Sequence, residues 1–233
     1  MTDAPHNTLG VRSVLAVCAH PDDESFGLGG VLSTLAASGV ETRILCFTHG
    51  EASSLGADLS DLSDLAIVRT AELAAAAATL GVTSTRLCSY PDGHLIDADF
   101  EDLVHEVGAA AAGAAVDCLL VFDDGGITGH PDHQRATDAA LAAGRRMRVP
   151  VLAWTLPTSV AQTLHDEFGA PFVGRDPGEI DIRIEVDRRN HLAAIACHAS
   201  QSPHNAVLQR RLALQGAVES LRWLSRPHPP SDG

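Results

Sequence analysis

The stretch VLAVCAHPDDE, residues 14–24, places an apolar run directly before a histidine, a proline and three consecutive acidic residues. The run SVLAVCA (13–19) predicts a buried strand, and FGLGGVLSTLAASG (26–39) predicts a helix that ends at Gly39. Carboxylates at the end of a buried strand are costly unless a cation or hydrogen bonds offset their charge. The segment therefore predicts the first strand of the fold. It also predicts that a cation or hydrogen-bond donors at the end of this strand compensate the charge of the carboxylates.

The rest of the chain continues this alternation of short apolar runs with helical patterns. Further strands are predicted at TRILCFT (42–48), TRLCSY (85–90), DCLLVF (117–122) and VPVLAWTL (149–156). Helices are predicted over about 64–80, 99–112, 132–146, 188–199 and 205–224. A β-α-β-α rhythm predicts an α/β fold with a doubly wound, mostly parallel sheet and helices on both faces.

The final third of the chain is less regular. The segment EIDIRIEVD (179–187) alternates apolar with charged residues, which predicts a half-exposed strand, antiparallel at an edge of the sheet. Because no repeat or linker interrupts the chain, we expect residues 1–233 to form a single domain. The first 12 or so residues and the last 8 or so are expected to be flexible ends.

Composition excludes several classes of function. The formal net charge is −14 and no basic run occurs, which argues against nucleic acid or an anionic membrane as a partner. All sixteen basic residues are arginine, so a Schiff-base lysine, a P-loop lysine and a Ser–Lys dyad are excluded. The sequence also lacks the G-x-S-x-G motif that seats the serine of many hydrolases.

Cysteine usage and hydropathy bear on the compartment. The five cysteines form no C-x-x-C pair, which fits a reducing environment. The N-terminal residues lack the apolar core of a signal peptide, and Asp117 interrupts the alanine-rich region near 109–122. We therefore expect a cytoplasmic protein.

Chemically rich segments follow each of the first four predicted strands. These segments are HPDDE (20–24), HGE (49–51), YPDG (90–93) and DDGGITGHPDH (123–133). In open α/β sheets, ligands bind outside the carboxyl ends of the strands, near the point where strand order reverses. With the usual strand order the first and fourth strands are neighbours there. The two H-P-D segments are therefore expected to face each other across one crevice.

A divalent cation would offset the charge of the first segment. His20 and Asp23 have the spacing H-x-x-D, and His133 follows the second H-P-D segment. These three ligands would leave a coordination position open for water, as in a catalytic zinc site. Asp22 could accept a proton from that water, and His130 could donate one to a leaving group.

Three other interpretations of these residues exist. A single H-P-D segment could be an ordinary turn, but two of them, each following a predicted strand and each with further carboxylates, favour a site over two separate turns. The glycines of GLGG (27–30) could suggest a dinucleotide loop, but the spacing is not G-x-G-x-x-G and the neighbouring carboxylates would repel a phosphate. Two histidines and one carboxylate also describe non-haem Fe(II) enzymes, which remains an alternative.

In these motifs the sequence resembles the LmbE-like, or phosphatidylinositol-glycan class L type, zinc-dependent de-N-acetylases. The blocks that carry the resemblance are, in order, AHPDDE with GLGG, THGE, VRTAELAAAAATLGV, YPDG, TGHPDH and LAAIACHASQ. The resemblance implies a Rossmann-like fold and metal-dependent hydrolysis of an acetamide. The usual substrate is an N-acetylglucosamine unit, and the products are acetate and an amine.

The resemblance also implies roles for individual residues. His20, Asp23 and His133 would bind Zn²⁺, with Fe²⁺ as the alternative in the cell. Asp22 would be the general base. His130 would protonate the amine or stabilise the oxyanion, and Asp132 would orient it. The residues that would contact the substrate are Arg69, Asp92 and His198. Three further residues, Glu24, His49 and Glu51, would support the site, and Glu24 would hold a ligand histidine.

One feature departs from some mycothiol-pathway relatives, which place a tyrosine just before the second histidine block. Here that neighbourhood reads GGITGHPDH, and Tyr90 is the only tyrosine of the chain. The substrate of that branch is therefore not assumed, although a mycothiol-conjugate-type amidase is kept as an alternative, as is a non-catalytic metal- or sugar-binding module. The expected partner is a small N-acetylated sugar or conjugate, and a homo-oligomer is left open.

Overall fold

The computed structural model describes residues 9–54, 62–113, 115–203 and 205–226. Its strands are β1 (Ser13–Cys18), β2 (Glu41–Thr48), β3 (Ser84–Tyr90), β4 (Cys118–Phe122), β5 (Val151–Pro157), β6 (Gly174–Arg175), β7 (Ile182–Glu185) and β8 (Val218–Ser225). Its helices are α1 (Asp23–Phe26), α2 (Gly29–Ala37), α3 (Leu62–Leu80), α4 (Phe100–Ala111), α5 (Gly126–Gly129), α6 (Pro131–Met147), α7 (Thr158–Phe168), α8 (Arg188–Cys197) and α9 (Ala206–Gln215).

Strand β1 shows why the opening stretch is apolar without alternation. Val14 and Ala16 point into the core on one face of the sheet, whereas Leu15 and Val17 point into the core on the other face. Successive side chains of a strand alternate between faces, so a strand covered on both sides must be apolar throughout. All six residues of β1 are buried.

Within the described residues the strand order is β3-β2-β1-β4-β5-β8-β7, with β6 beside β5. The pairs β1–β2, β2–β3, β1–β4 and β4–β5 are parallel. This confirms the predicted α/β fold with a mostly parallel sheet. Because β1 and β4 are neighbours and the chain order reverses between them, the carboxyl ends that carry the two H-P-D segments lie side by side.

The last part of the sheet is antiparallel. Strand β7 pairs antiparallel with β8 at the edge of the sheet, which confirms the predicted edge strand. The predicted helix over 205–224 is wrong beyond its first half. Helix α9 ends at Gln215, and Gly216, with a φ of 56°, turns the chain into β8, which lies between β5 and β7. A positive φ at this position favours glycine.

A buried carboxylate ties this antiparallel region to the loop after β4. Asp123 accepts hydrogen bonds from Thr155 Oγ1 at 2.8 Å, Arg175 Nε at 2.7 Å and Arg222 Nε at 2.7 Å. The residues that it joins belong to β5, β6 and β8, so the loop that leads to the second H-P-D segment is held from three strands. Its partners keep the pKa of Asp123 below its ordinary value, although burial alone would raise it.

The two predicted flexible ends lie mostly outside the described residues. Among the helices of the described part of the chain, none combines the length and apolar character that crossing a bilayer requires.

Candidate active site

The first H-P-D segment turns sharply between β1 and α1. Asp22 has a φ of 117°, a conformation that is unfavourable for a residue with a side chain. Two contacts hold it. The Asp22 N–H donates to Glu24 Oε2 at 2.9 Å, and the guanidinium of Arg69 donates to the preceding carbonyl of Pro21. The strained backbone places the Asp22 carboxylate at the wall of the cavity beside Asp23.

The second segment forms the start of α6. Helix α6 begins at Pro131, one residue before the predicted start at 132, and His130 is the residue that caps it. The Asp132 N–H donates to His130 Nδ1 at 3.2 Å. Because Nδ1 accepts this bond, the proton of a neutral His130 sits on Nε2. Burial and the nearby His133 and His20 lower the pKa of His130.

Three predicted ligands converge on one point. One ligand atom each from His20, Asp23 and His133 lies within 4.8 Å of the other two. His20 Nδ1 is 3.2 Å from His133 Nε2, which is 3.1 Å from Asp23 Oδ1. The other oxygen of Asp23 accepts from the N–H groups of Ala19 and His20, at 2.9 and 3.0 Å. The carboxylate is therefore fixed by the backbone, with one oxygen directed at the histidines.

The far nitrogens of both histidines indicate which atoms are free to bind a cation. His133 Nδ1 lies 3.2 Å from the carbonyl of Gly126, and a carbonyl can only accept, so Nδ1 carries a proton. His20 Nε2 lies 3.0 Å from Asp92 Oδ1 and 3.3 Å from Asp132 Oδ2. Two carboxylates there likewise require a proton on Nε2.

The consequence is that two lone pairs point at each other across 3.2 Å. A proton or a metal cation between them removes that repulsion, and Asp23 adds a negative charge at the same point. Burial alone would lower the pKa of His20, but its bonds to Asp132 and Asp92 raise that pKa to about 10. Imidazole nitrogens with a carboxylate oxygen are ligands that Zn²⁺ and Fe²⁺ both accept. The residues therefore fit a divalent metal.

The neighbouring carboxylate of Asp22 also has a raised pKa, but in its case burial is the cause. Burial raises the pKa of Asp22 to about 6, although the guanidinium of Arg69, whose Nη2 lies 3.0 Å from Asp22 Oδ2, acts to lower it. A carboxylate with such a pKa can take a proton near neutral pH and release it again.

The contacts of several predicted site residues differ from those expected. Asp132 was expected to orient His130, but its carboxylate lies against His20 and accepts the N–H groups of Gly93 and Leu95, at 2.8 and 3.1 Å. Asp132 sits in the first turn of α6, and one of its carboxylate oxygens lies within 4.8 Å of ring nitrogens of both His20 and His130. Its hydrogen bonds hold the loop after β3 and the ring of His20, and its role towards His130 stays a prediction.

Glu24 and His198 form a pair of their own. His198 Nε2 lies 2.6 Å from Glu24 Oε1, and neither side chain is exposed. Glu24 was expected to hold a ligand histidine, but it contacts His198 and the Asp22 backbone instead. His198 is fully buried in this structure, and its predicted contact with the substrate stays a prediction.

Arg69 and Asp92 line the cavity, as a substrate contact requires, yet both are committed to the chain itself. Arg69 is 3% exposed, and besides Pro21 and Asp22 it donates to the Gly50 carbonyl at 2.5 Å. Asp92 accepts from Ala52 N–H at 2.8 Å and faces His20 with its other oxygen. Arg69 thus contacts the Asp22 carboxylate and Asp92 contacts the ring of His20, while their predicted substrate contacts stay predictions.

The two supporting residues predicted after β2 differ in position. Glu51 Oε1 accepts the Asp92 N–H at 3.0 Å and so supports the carboxylate behind His20. His49 lies between Thr70 Oγ1 at 2.9 Å and Ser89 Oγ at 3.2 Å, and it does not line the cavity. Neither residue lines the cavity, but Glu51 contacts the site through Asp92, whereas His49 contacts Thr70 and Ser89.

The cavity has a volume of about 570 Å³, a size typical of small-molecule sites. One end holds the candidate ligands, and a large part of the remaining wall is apolar or comes from the C-terminal third of the chain. The lining residues that the sequence patterns did not single out include Phe26, Trp154, Phe172, Gln201, Asn205 and Arg211. Loop and helix residues of this kind carry no motif, so only the fold reveals that they face the site.

The position of Asp92 leads to a measurable expectation. Asp92→Asn should weaken Zn²⁺ binding about 10- to 100-fold, because the carboxylate that orients His20 is lost. Competition with a chromophoric chelator measures the affinity, and Asp97→Asn, whose side chain is 73% exposed, serves as the matched control. A raised KM with unchanged Zn²⁺ affinity would instead make Asp92 a sugar contact only.

Comparison with known proteins shows the family to which this chain belongs. The sequence matches the family model PIG-L, GlcNAc-PI de-N-acetylase, over residues 15–144. It is also 32% identical over 237 aligned residues to the 1D-myo-inositol 2-acetamido-2-deoxy-alpha-D-glucopyranoside deacetylase of Acidothermus cellulolyticus, covering 82% of this chain and 80% of that protein. The chain belongs to the PIG-L (LmbE-like) de-N-acetylase family, and so to a family of hydrolases that cleave amides.

Solved structures support the fold. The N,N'-diacetylchitobiose deacetylase from Pyrococcus horikoshii superposes with a TM-score of 0.70 at 21% identity, covering 99% of this chain and 92% of that one. GalB, the 4-carboxy-2-hydroxymuconate hydratase from Pseudomonas putida, superposes with a TM-score of 0.73 at 18% identity, covering 94% and 98%. Because a deacetylase and a hydratase share the architecture, the fold alone does not define the reaction.

Proposed function

We propose that the protein is a metal-dependent amidohydrolase that removes the N-acetyl group from an N-acetylglucosamine-type amino sugar or sugar conjugate. The observation that carries the proposal is the convergence of His20, Asp23 and His133 beside a cavity wall that also holds Asp22 and His130. The relatives' names support the reaction and the sugar, since they are deacetylases of 2-acetamido-2-deoxyglucosides.

The three ligands would hold Zn²⁺, or Fe²⁺ in the cell. When bound, such a metal acts as a Lewis acid that makes water more acidic and polarises a carbonyl oxygen. The chain's own contribution at this end is orientation: Asp92 and Asp132 fix the ring of His20, and the Gly126 carbonyl fixes that of His133. These contacts place a proton on the far nitrogen of each ring, so that the near nitrogens, His20 Nδ1 and His133 Nε2, are the ones that would bind the metal in place of a proton.

Asp22 is the proposed general base. Its carboxylate lies at the cavity wall next to the ligand Asp23, and the Arg69 guanidinium holds one of its oxygens. Burial keeps the carboxylate basic enough to accept a proton from the attacking water, and Arg69 keeps it from turning away. Asp22 is thus prepared for the first proton transfer of amide hydrolysis.

His130 is the proposed general acid. Its ring centroid lies 4.9 Å from those of both His20 and His133, and Nε2 is the nitrogen that the Asp132 N–H leaves free. To act as the acid the ring must first take up a proton and release its bond from the Asp132 N–H; donation from Nε2 then returns it to the neutral form. Proton donation to the departing amine nitrogen is required because an amide anion is a poor leaving group. The base and the acid therefore come from the two different H-P-D segments.

A non-haem Fe(II) enzyme and a mycothiol-conjugate-type amidase remain the alternatives. The first would use the same ligands but would need a redox cosubstrate, whereas hydrolysis uses the base and acid that the cavity already holds. The second differs only in the substituent on the amino sugar.

The test is an amine-release screen of the purified protein together with elemental analysis. We expect Zn²⁺- or Fe²⁺-loaded protein to release acetate and free amine from at least one member of a panel of N-acetylated sugars and thiol conjugates, without oxygen. Activity that requires oxygen and a reducing cosubstrate would contradict the proposal and favour the Fe(II) oxygenase alternative.

A further inference from the structure

We propose that the cavity accepts an amino sugar bearing an anionic substituent, and that Arg211 is the residue that recognises it. The inference rests on the proposed function and deepens it, because it specifies the class of N-acetylated sugar that the site selects.

Arg211 belongs to the face of α9 that forms part of the cavity wall. Asn205, Leu208 and Arg211 follow one another at intervals of three residues, so they lie on the same side of the helix, and all three line the cavity. The Arg211 side chain is nevertheless almost entirely buried, with 3% of the residue exposed. A cation is therefore built into the wall rather than left in solvent.

The hydrogen-bonding capacity of Arg211 is largely unused. Its Nη2 donates to the carbonyl of Phe26, another residue of the wall. Its Nη1 is shielded from solvent and has no hydrogen-bond partner among the described residues. Within the described part of the chain Arg211 also forms no ion pair within 4.0 Å. Burying a guanidinium in this way is costly unless a ligand completes its bonding.

The buried acid that acts on Arg211 is already engaged elsewhere. Glu219 Oε1 accepts from Arg188, and Glu219 Oε2 accepts from Trp154 Nε1 at 2.7 Å and Gln215 Nε2 at 2.9 Å. Arg188 therefore compensates the charge of Glu219, and one positive charge is left over in this part of the core. Burial lowers the pKa of Arg211 to about 10, so the side chain still carries its charge at neutral pH.

The guanidinium is also held in orientation. Its carbon lies 4.8 Å from the centroid of the Trp154 ring, and the Phe26 carbonyl fixes one terminal nitrogen. A planar guanidinium fixed in this way offers paired donors that match the oxygens of a carboxylate or a phosphate. Arg69, the other arginine of the described cavity wall, is occupied by Asp22 and two backbone carbonyls. Arg211 is thus the cation that a substrate anion can use.

The experiment compares three probes: N-acetylglucosamine, its 1-phosphate, and N-acetylmuramic acid, which carries a lactyl carboxylate. We expect the wild-type protein to show a kcat/KM about 10- to 100-fold higher for at least one anionic sugar than for the neutral one. Which anionic sugar is preferred distinguishes phosphate from carboxylate. Arg211→Gln should remove the preference, and Arg211→Lys should keep part of it.

The matched control is Arg210→Gln. Arg210 is the preceding residue of the same helix, its side chain is 42% exposed, and it pairs with Glu167 at 2.7 Å outside the cavity. This variant should keep the wild-type preference. Equal or lower kcat/KM for both anionic sugars in the wild type, or a preference that persists in Arg211→Gln, would overturn the inference. If Arg211→Gln does not fold, the wild-type preference and its reduction in Arg211→Lys decide.

Calorimetric binding of the same probes to Asp22→Asn separates this inference from the proposed function. Tighter binding of an anionic sugar than of N-acetylglucosamine, lost in Asp22→Asn/Arg211→Gln, supports the inference even if the wild type releases no amine from any probe. Amine release from N-acetylglucosamine without any anionic preference in rate or binding supports the function and overturns the inference.

Discussion

Replacing Asp22 by asparagine is expected to lower kcat about 10³-fold while the protein keeps its metal. The substitution preserves the size of the side chain and its acceptor towards Arg69, but the amide cannot take a proton from water. The ligand atoms of His20, Asp23 and His133 are untouched. Steady-state kinetics with an amine-detecting assay, combined with elemental analysis, measures both quantities on one preparation.

The control for this variant is Asp102→Asn, the same chemical change at an exposed position in the first turn of α4. It should leave both kcat and metal content at wild-type values. An Asp22→Asn protein with full activity would remove Asp22 from the proposed mechanism. Loss of metal along with activity would show that the carboxylate supports the metal centre rather than acting as the base.

Removing the side chain of a proposed metal ligand should lower the metal content as well as the activity. His133→Ala is expected to lose the metal and, with it, about 10³-fold or more of kcat/KM, because the metal supplies several kcal/mol of transition-state stabilisation. The ring is 14% exposed and donates to the Gly126 carbonyl, so its loss also leaves a small cavity beside Phe122. The thermal unfolding of the variant should therefore be recorded, because a lower rate can be assigned to the loss of the metal only if the variant is folded.

His165→Ala provides the comparison, since His165 is an exposed histidine near the end of α7. That variant should keep metal content and activity. A folded His133→Ala protein that retains a full equivalent of tightly bound metal would contradict the ligand set and would favour the overlapping group of His20, His130 and Asp132, whose ligand atoms also lie within 4.8 Å of one another.

The general position of the site could be predicted because two independent patterns agree. The apolar run of β1 predicts a strand buried on both faces, and the β-α-β rhythm predicts that β1 and β4 are neighbours. Each strand is followed by an H-P-D segment, so topology alone brings His20 and His133 together. Pro131 and the capping His130 also mark the start of α6 in the sequence.

The partners of these residues could not be predicted in the same way. Asp132 and Asp92 both reach His20, although one lies on α6 and the other in the loop after β3. Such a contact depends on side-chain directions across two loops, which spacing in the sequence does not determine. Asp132 lies two residues after His130, and this spacing did not reveal its contact with His20, because residues two positions apart at a helix start do not face the same side.

The secondary structure and burial of the C-terminal region were the hardest features to predict from the sequence. The pattern over 205–224 is helical in its first half, and only two residues, Gly216 and Ala217, separate α9 from β8. Arg210 and Arg211 are consecutive, as on a solvated helix face, yet only Arg210 pairs at the surface. The burial of Arg211 follows from how α9 packs over the cavity, which is a property of the tertiary structure.

The most direct test of the central claim is the stoichiometry of acetate and free amine released from N-acetylated glucosamine derivatives by Zn²⁺-loaded protein. The account predicts equal molar amounts of the two products, with release abolished by metal removal, restored by Zn²⁺, and nearly lost in Asp22→Asn. Metal-loaded, folded protein that releases neither product from any N-acetylated sugar or conjugate in the panel would contradict it.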